Sequence, residues 1–238
     1  MYLKNLTLLQ RPADLNTLPS GKLLINTLNS HSYNVAQKDA LFAEALTKGD
    51  VLIPDGESIV FMVKWLNGIK MERIAGWDLF VFEMKKLNTT GGVCFFLGSS
   101  EHVLNIIKKN AAVDYPKIQV VSYSPPYKPD FTEEESNAMI EAVHAANPDL
   151  LWIGMTAPKQ EKWAYTHWNK LKINCHVGTI GAVFDFYAGT IKRAPLGWQK
   201  HGFEWLYRLI KEPRRMWKRY LIGIVLFISH IIKEKFAH

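Results

Sequence analysis

Six short apolar runs, spaced by amphipathic stretches, constrain this chain more than any other feature. They are KLLINT (22–27), DVLIP (50–54), GVCFFLG (92–98), IQVVSYS (118–124), DLLWIGM (149–155) and NCHVGT (174–179). Several carry almost no polar residue, which predicts strands covered on both faces. Between them QKDALFAEALTK, ESIVFMVKWLNG, SEHVLNIIKKN, TEEESNAMIEAVHAA and PKQEKWAYTHWNKL show the spacing of helices. Thr132 and Glu135 form a candidate capping box at the start of the fourth. Strand and helix in alternation predict an α/β fold, a Rossmann-like, mostly parallel sheet with helices on both faces.

Sheets of this kind bind ligands outside the carboxyl ends of their strands. The loops that follow strands are Thr27-Leu28-Asn29, Pro54-Asp55-Gly56, Gly98-Ser99-Ser100, Gly154 to Gln160, and Gly178 to Asp185. Pro-Asp-Gly is a turn sequence on its own terms. A carboxylate at a strand end is equally the position for a general base, so Asp55 carries both readings. Thr27 and Asn29 would face the same crevice with a hydroxyl and an amide. In ERIAGWD, Arg73 with a supporting Asp78 reads either as a phosphate contact or as a surface ion pair. Gly98-Ser99-Ser100 offers N–H groups and hydroxyls to an anion, although it is neither a GxGxxG nor a Walker A loop. Gln160, at the rim of the Gly154 loop, suits sugar hydroxyls or an acetamido group. Glu161 beside it reads as a first-turn helix residue.

Near Ile191 the composition changes. The chain holds a net charge of +7, but residues 1–191 hold 18 Lys+Arg against 19 Asp+Glu, a balance of −1. Residues 192–238 hold 11 against 3, a balance of +8, which points to an anionic partner. The apolar run Leu221 to Ile232 is 12 residues long, short of the roughly 20 that span a bilayer. Basic residues mixed with Trp, Phe and Leu fit a helix lying in a membrane interface, and a helix packed on the core is the bland alternative. The division expected is a core over 1–191 and a basic, membrane-associating appendage over 192–238. Because 1–191 contains every expected strand and the candidate base, the appendage is expected to be dispensable for folding.

Absences narrow the chemistry. The sequence has no Asp-x-Asp to hold a metal against a nucleotide diphosphate, no HExxH and no GxSxG. His31, His102, His144, His167 and His176 are scattered and read as structural or exposed. Two cysteines, Cys94 and Cys175, do not make a disulfide framework or a four-thiolate zinc site. The first residues lack the apolar stretch of a signal peptide. The expected place is the cytoplasm, peripheral on the inner face of the cell membrane.

NTLN (26–29), PDG (54–56), RIAGWDL (73–79), FFLGSS (95–100), GMTAPKQEKW (154–163), GAVFDFYAGTIKRAP (181–195) and EWLYRLIKEPRRMWKRYL (204–221) follow one another in order. Together they resemble the WecG/TagA/CpsF family, glycosyltransferase family 26, from about Leu24 to Leu221. The resemblance implies inverting transfer of a sugar from a UDP-sugar to a glycan intermediate on undecaprenyl diphosphate, in cell-surface polysaccharide synthesis. The best-known activity in the family moves N-acetylmannosamine; relatives move other hexoses. By the resemblance, Asp55 is the base, and Thr27, Asn29 and Gln160 touch the donor sugar or position the acceptor. It places Arg73, Asp78, Gly98, Ser99, Ser100, Gly154 and Asp185 around the substrates. Arg208, Arg214, Arg215 and Arg219 would reach diphosphate oxygens, a task suited to guanidinium groups. Trp77 departs from the small residue expected in Gly-x-Asp, which bears on the identity of the sugar.

No cofactor is expected, and the transfer is expected to be metal-independent. The expected partners are the UDP-sugar, the lipid-linked acceptor and an anionic membrane surface, with no nucleic acid; a homo-oligomer stays open. Two rival readings are a soluble UDP-sugar epimerase or hydrolase, and a nucleic-acid-binding protein with a basic tail.

Overall fold

The computed structural model describes residues 1–195, 197–198 and 202–237. All six expected strands form. They are β1 Leu23–Leu28, β2 Val51–Pro54, β3 Gly92–Gly98, β4 Ile118–Tyr123, β5 Leu150–Gly154 and β6 His176–Thr179. They make one parallel sheet in the order β2-β1-β6-β5-β3-β4. Alternation along β3 shows why the runs are apolar throughout. Cys94 and Phe96 pack into one layer, and Phe95 and Leu97 into the opposite one. Both faces are covered, so neither set faces water.

The helices are α1 Ser30–Ala36, α2 Ala40–Lys48, α3 Glu57–Asn67, α4 Gly76–Thr90, α5 Glu101–Asp114, α6 Glu133–Ala146, α7 Lys159–Thr166 and α8 Val183–Ala188. The Thr132–Glu135 capping box forms at α6 as expected. Helices α1, α4 and α8 were not anticipated, and α4 revises the reading of ERIAGWD. Asp78 is the third residue of α4; its carboxylate turns back to accept the Ala75 N–H at 2.9 Å. The side chain that pairs with Arg73 is instead Glu204, 131 residues further on.

Past the core come α9 Glu204–Lys211, α10 Pro213–Trp217, a π-turn over Lys218–Ile222 and α11 Gly223–Phe236. No helix among the described residues is long and apolar enough to cross a membrane. Helix α11 packs on α1. Phe227 and Ile231 join a buried cluster with Leu3, Tyr33 and Phe42, and Met216 of α10 is buried as well. Glu234, 1% exposed, accepts hydrogen bonds from the Tyr33 hydroxyl (2.7 Å) and from the N–H groups of Leu3 and Lys4. The change of composition at 191 is therefore not a boundary of packing. The reason is amphipathicity: Phe227, Ile231 and Glu234 share one face of α11, while Val225, Ile232 and Phe236 are exposed on others. That burial weighs against an appendage dispensable for folding.

Candidate active site

A cleft of about 1370 Å³ opens at the carboxyl ends of the central strands. That exceeds the roughly 300–1,000 Å³ of a pocket for one small ligand, and leaves room for two. The strand-end loops form its floor. Its roof comes from the tail, through Glu204, Trp205, Arg208, Arg219, Tyr220 and residues of α11.

Asp55 sits in that floor. Its N–H donates to the Leu28 carbonyl at 2.8 Å, which ties the end of β2 to the end of β1. Its Oδ1 accepts the Gly76 N–H, the first of α4, at 3.3 Å. Burial pushes the carboxyl up to about 6; Arg73 pulls it back and Glu204 adds to the rise. A carboxylate so placed is mostly ionised at neutral pH, yet more basic than an exposed aspartate.

The arginines around it come from both parts of the chain. Arg73 Nη2 lies 2.8 Å from Glu204 Oε2, and Arg193 Nε lies 3.4 Å from Glu204 Oε1. The Arg193 guanidinium also stands 5.4 Å from the centroid of the Trp77 ring, and both line the cleft. Burial works against the charge on Arg73, but Asp55 and Glu204 more than offset it and raise its pKa. Arg208, 5.5 Å from the Phe186 ring centroid, and Arg219 add two further guanidinium groups to the cleft.

The structure brings most of the anticipated residues to this place. Thr27, Asn29, Asp55, Arg73, Ser99, Ser100, Gly154, Gln160, Asp185, Arg208 and Arg219 all line the cleft. Several have local duties there. Asn29 Oδ1 caps α1 by accepting from His31 and Ser32, and Ser100 Oγ caps α5 by accepting from Val103. Gln160 Oε1 accepts the Met155 N–H at 3.1 Å, and Asp185 Oδ1 accepts from the Thr190 hydroxyl at 3.1 Å.

Three anticipated residues lie outside the cleft lining. Asp78 and Arg214 are exposed; the Asp78 carboxylate caps α4 but stays near enough to raise the pKa of both Asp55 and Arg73. Gly98 is also outside the lining and is explained by packing: it faces Gly154 across the β3–β5 pair. Its φ is +117°, and a Cβ there would stand 2.5 Å from the Gly154 carbonyl oxygen. The Arg215 side chain lies outside the described residues.

Four cleft residues escaped the sequence reading. Arg193 and Glu204 lie in the basic segment, and nothing local marks them as partners. His31 lines the cleft, held neutral by burial and by nearby Arg219, with its pKa lowered to about 4. Glu161 is 1% exposed; its Oε1 accepts from Gln160 Nε2 at 2.8 Å and its Oε2 has no hydrogen-bond partner. Burial pushes that carboxyl up to about 7. Gln-Glu after a Pro was the available signal. Among the described residues, no three His, Cys, Asp or Glu side chains are grouped so as to hold a metal ion.

A parallel sheet with a buried carboxylate at a strand end and arginines lining the same cleft is an arrangement suited to group transfer. Residues 3–238 match the glycosyl transferase WecG/TagA/CpsF family, and the chain belongs to that family. It is a glycosyltransferase. Among curated proteins it is 29% identical, over 89% of this chain and 80% of the other, to the N-acetylglucosaminyldiphosphoundecaprenol N-acetyl-beta-D-mannosaminyltransferase of Bacillus subtilis (strain 168). The protein of the same name from Staphylococcus aureus (strain MW2) is 27% identical over 97% of this chain and 89% of its own length.

Proposed function

We propose that this glycosyltransferase moves N-acetylmannosamine or a related hexose from a UDP-sugar to a GlcNAc-diphospho-undecaprenol-type acceptor, with inversion, in cell-surface polysaccharide synthesis. The observation that carries the reading is Asp55, a carboxyl raised to about 6 in a cleft shared with four guanidinium groups. In the proposed step the acceptor hydroxyl oxygen attacks the anomeric carbon while Asp55 takes its proton. The bond from that carbon to the UDP oxygen breaks, and UDP leaves with the electron pair. General-base catalysis of this kind is worth about 10²–10⁴ in rate. Arg73, Arg193, Arg208 and Arg219 are the groups available to neutralise the leaving diphosphate, and no metal is required in the scheme. Thr27, Asn29, Gln160 and Asp185 supply polar contacts for the sugars. Trp77, with a cation at its face, narrows the side nearest α4 and is the residue we assign to hexose selection.

We place the enzyme at the cytoplasmic leaflet, where the +8 segment over residues 192–238 meets anionic lipid and the acceptor is anchored. The test is product formation by wild type and Asp55→Asn on UDP-N-acetylmannosamine and a short-chain GlcNAc-diphospho-lipid. Turnover by the variant within twofold of wild type, or UDP release without need of any acceptor, would overturn the reading.

A further inference from the structure

The lining of the cleft is of two kinds. Asp55, Arg73 and Gln160 are polar, whereas Phe61 and Met62 of α3 and Ile224, Phe227 and Ile228 of α11 give an apolar lining. Phe61 lies just over one turn, about 6 Å, further along α3 than Glu57 at its start. Ile224 and Ile228, four residues apart, share a face of α11, and the Ile228 side chain is 38% exposed although Phe227 and Ile231 beside it are buried. Phe61 is 64% exposed. Hydrogen bonds fix the helices that carry this lining. Asn34 Nδ2 donates to the Gly223 carbonyl at 2.7 Å, which holds the start of α11 on α1. Lys235 Nζ donates to the carbonyls of Trp65 and Leu66 at 3.1 and 3.3 Å, which joins the ends of α11 and α3 beyond the cleft.

Arg219 and His31 line the same cleft, close enough for the guanidinium to depress the imidazole, with Tyr220 and Trp205 ring to ring at 5.9 Å. The one cleft therefore holds a carboxylate with hydrogen-bonding groups, guanidinium groups and an apolar lining. An amphiphile made of a sugar, a diphosphate and a hydrocarbon chain presents the three chemistries that match them.

We propose that this lining of α3 and α11 forms a trough that is a subsite for the first isoprene units of the lipid acceptor, gripped by Phe61, Ile224 and Ile228. The inference rests on the lipid-linked acceptor of the proposed function. Its consequence is that acceptor affinity depends on the chain even when no membrane is present, since burying each methylene is favourable. Recognition of the chain by the protein is thereby separate from adsorption of the basic tail to a bilayer.

The test is calorimetric binding, without lipid or detergent, of GlcNAc-diphospho-farnesyl and GlcNAc-diphospho-methyl, paired with turnover of both. Wild type is expected to bind the farnesyl compound at least tenfold more tightly. Phe61→Ser and Ile228→Ser, each made separately at an exposed site and checked by thermal melting, are expected to reduce that ratio to about one. Ile232→Ser, exposed on the same helix but outside the cleft, is expected to keep it. A ratio near one in wild type, or a ratio preserved in both trough variants, or lost equally in Ile232→Ser, overturns the subsite. Preserved chain-dependent binding with no turnover on any UDP-sugar would instead sustain the subsite and refute the proposed reaction.

Discussion

Ile231 and Ile232 are neighbours of identical chemistry, one on the buried face of α11 and one on an exposed face, and truncating each to alanine tests whether the tail belongs to the core. Ile231 is 0% exposed among Leu3, Tyr33, Phe42 and Phe227, whereas Ile232 is 46% exposed. Ile231→Ala removes three buried carbon groups at about 0.8 kcal/mol each. The cavity left behind adds to this, so a loss of about 3–4 kcal/mol is expected, within the range of about 2–5 kcal/mol for such core truncations. Ile232→Ala removes little buried area and replaces a β-branched residue by the best helix former. Its expected effect is within about 0.5 kcal/mol of zero. Urea unfolding of each purified variant, followed by far-ultraviolet circular dichroism without detergent, gives both values. Typical domain stabilities are about 5–15 kcal/mol, so the first change consumes a large share of the total. A chain ending at residue 191 would lose Met216, Phe227, Ile231 and the three hydrogen bonds accepted by Glu234 at once, and is expected not to unfold cooperatively. If Ile231→Ala falls within 1 kcal/mol of Ile232→Ala, α11 is not docked as described and the core stands without it.

Asp55 acts as a base only when ionised, so with its carboxyl near 6 kcat/KM should rise as pH climbs through about 6 and level off above. Asp55→Asn should lose that limb together with about 10²–10⁴ in rate, and an unchanged limb in the residual activity would assign it elsewhere. The Glu161 carboxyl, at about 7 in the fold against an ordinary 4.5, keeps its proton while the unfolded chain releases one. The fold therefore loses stability as pH rises from 4.5 through 7, by about 3 kcal/mol at most. Glu161→Gln should melt progressively higher than wild type between pH 5 and 8, and a difference that does not vary with pH would refute the assignment. Turnover should survive EDTA; loss restored by Mg²⁺ or Mn²⁺ would transfer neutralisation of the diphosphate from the arginines to a metal.

Periodicity and the loops after strands were enough to place the six strands, the parallel sheet and Asp55 at a strand end. Those properties are local: an apolar run covered on both faces and a turn after it are written in consecutive residues. Thr132, the N-cap of α6, and its partner Glu135 were legible for the same reason, being three positions apart. The capping duty of Asp78 was not legible, because a carboxylate three residues into a helix looks, as a string, like any acid near an arginine. Only the tertiary structure decided that Arg73 meets Glu204 across 131 residues, and that Arg208 and Arg219 turn into the cleft while Arg214 does not. The tail shows the limit most clearly. Its charge of +8 is a sum over residues and carries no direction. Whether a helix face is buried depends on a surface elsewhere in the chain that fits it, and Leu3, Tyr33 and Phe42 provide that surface for Phe227 and Ile231.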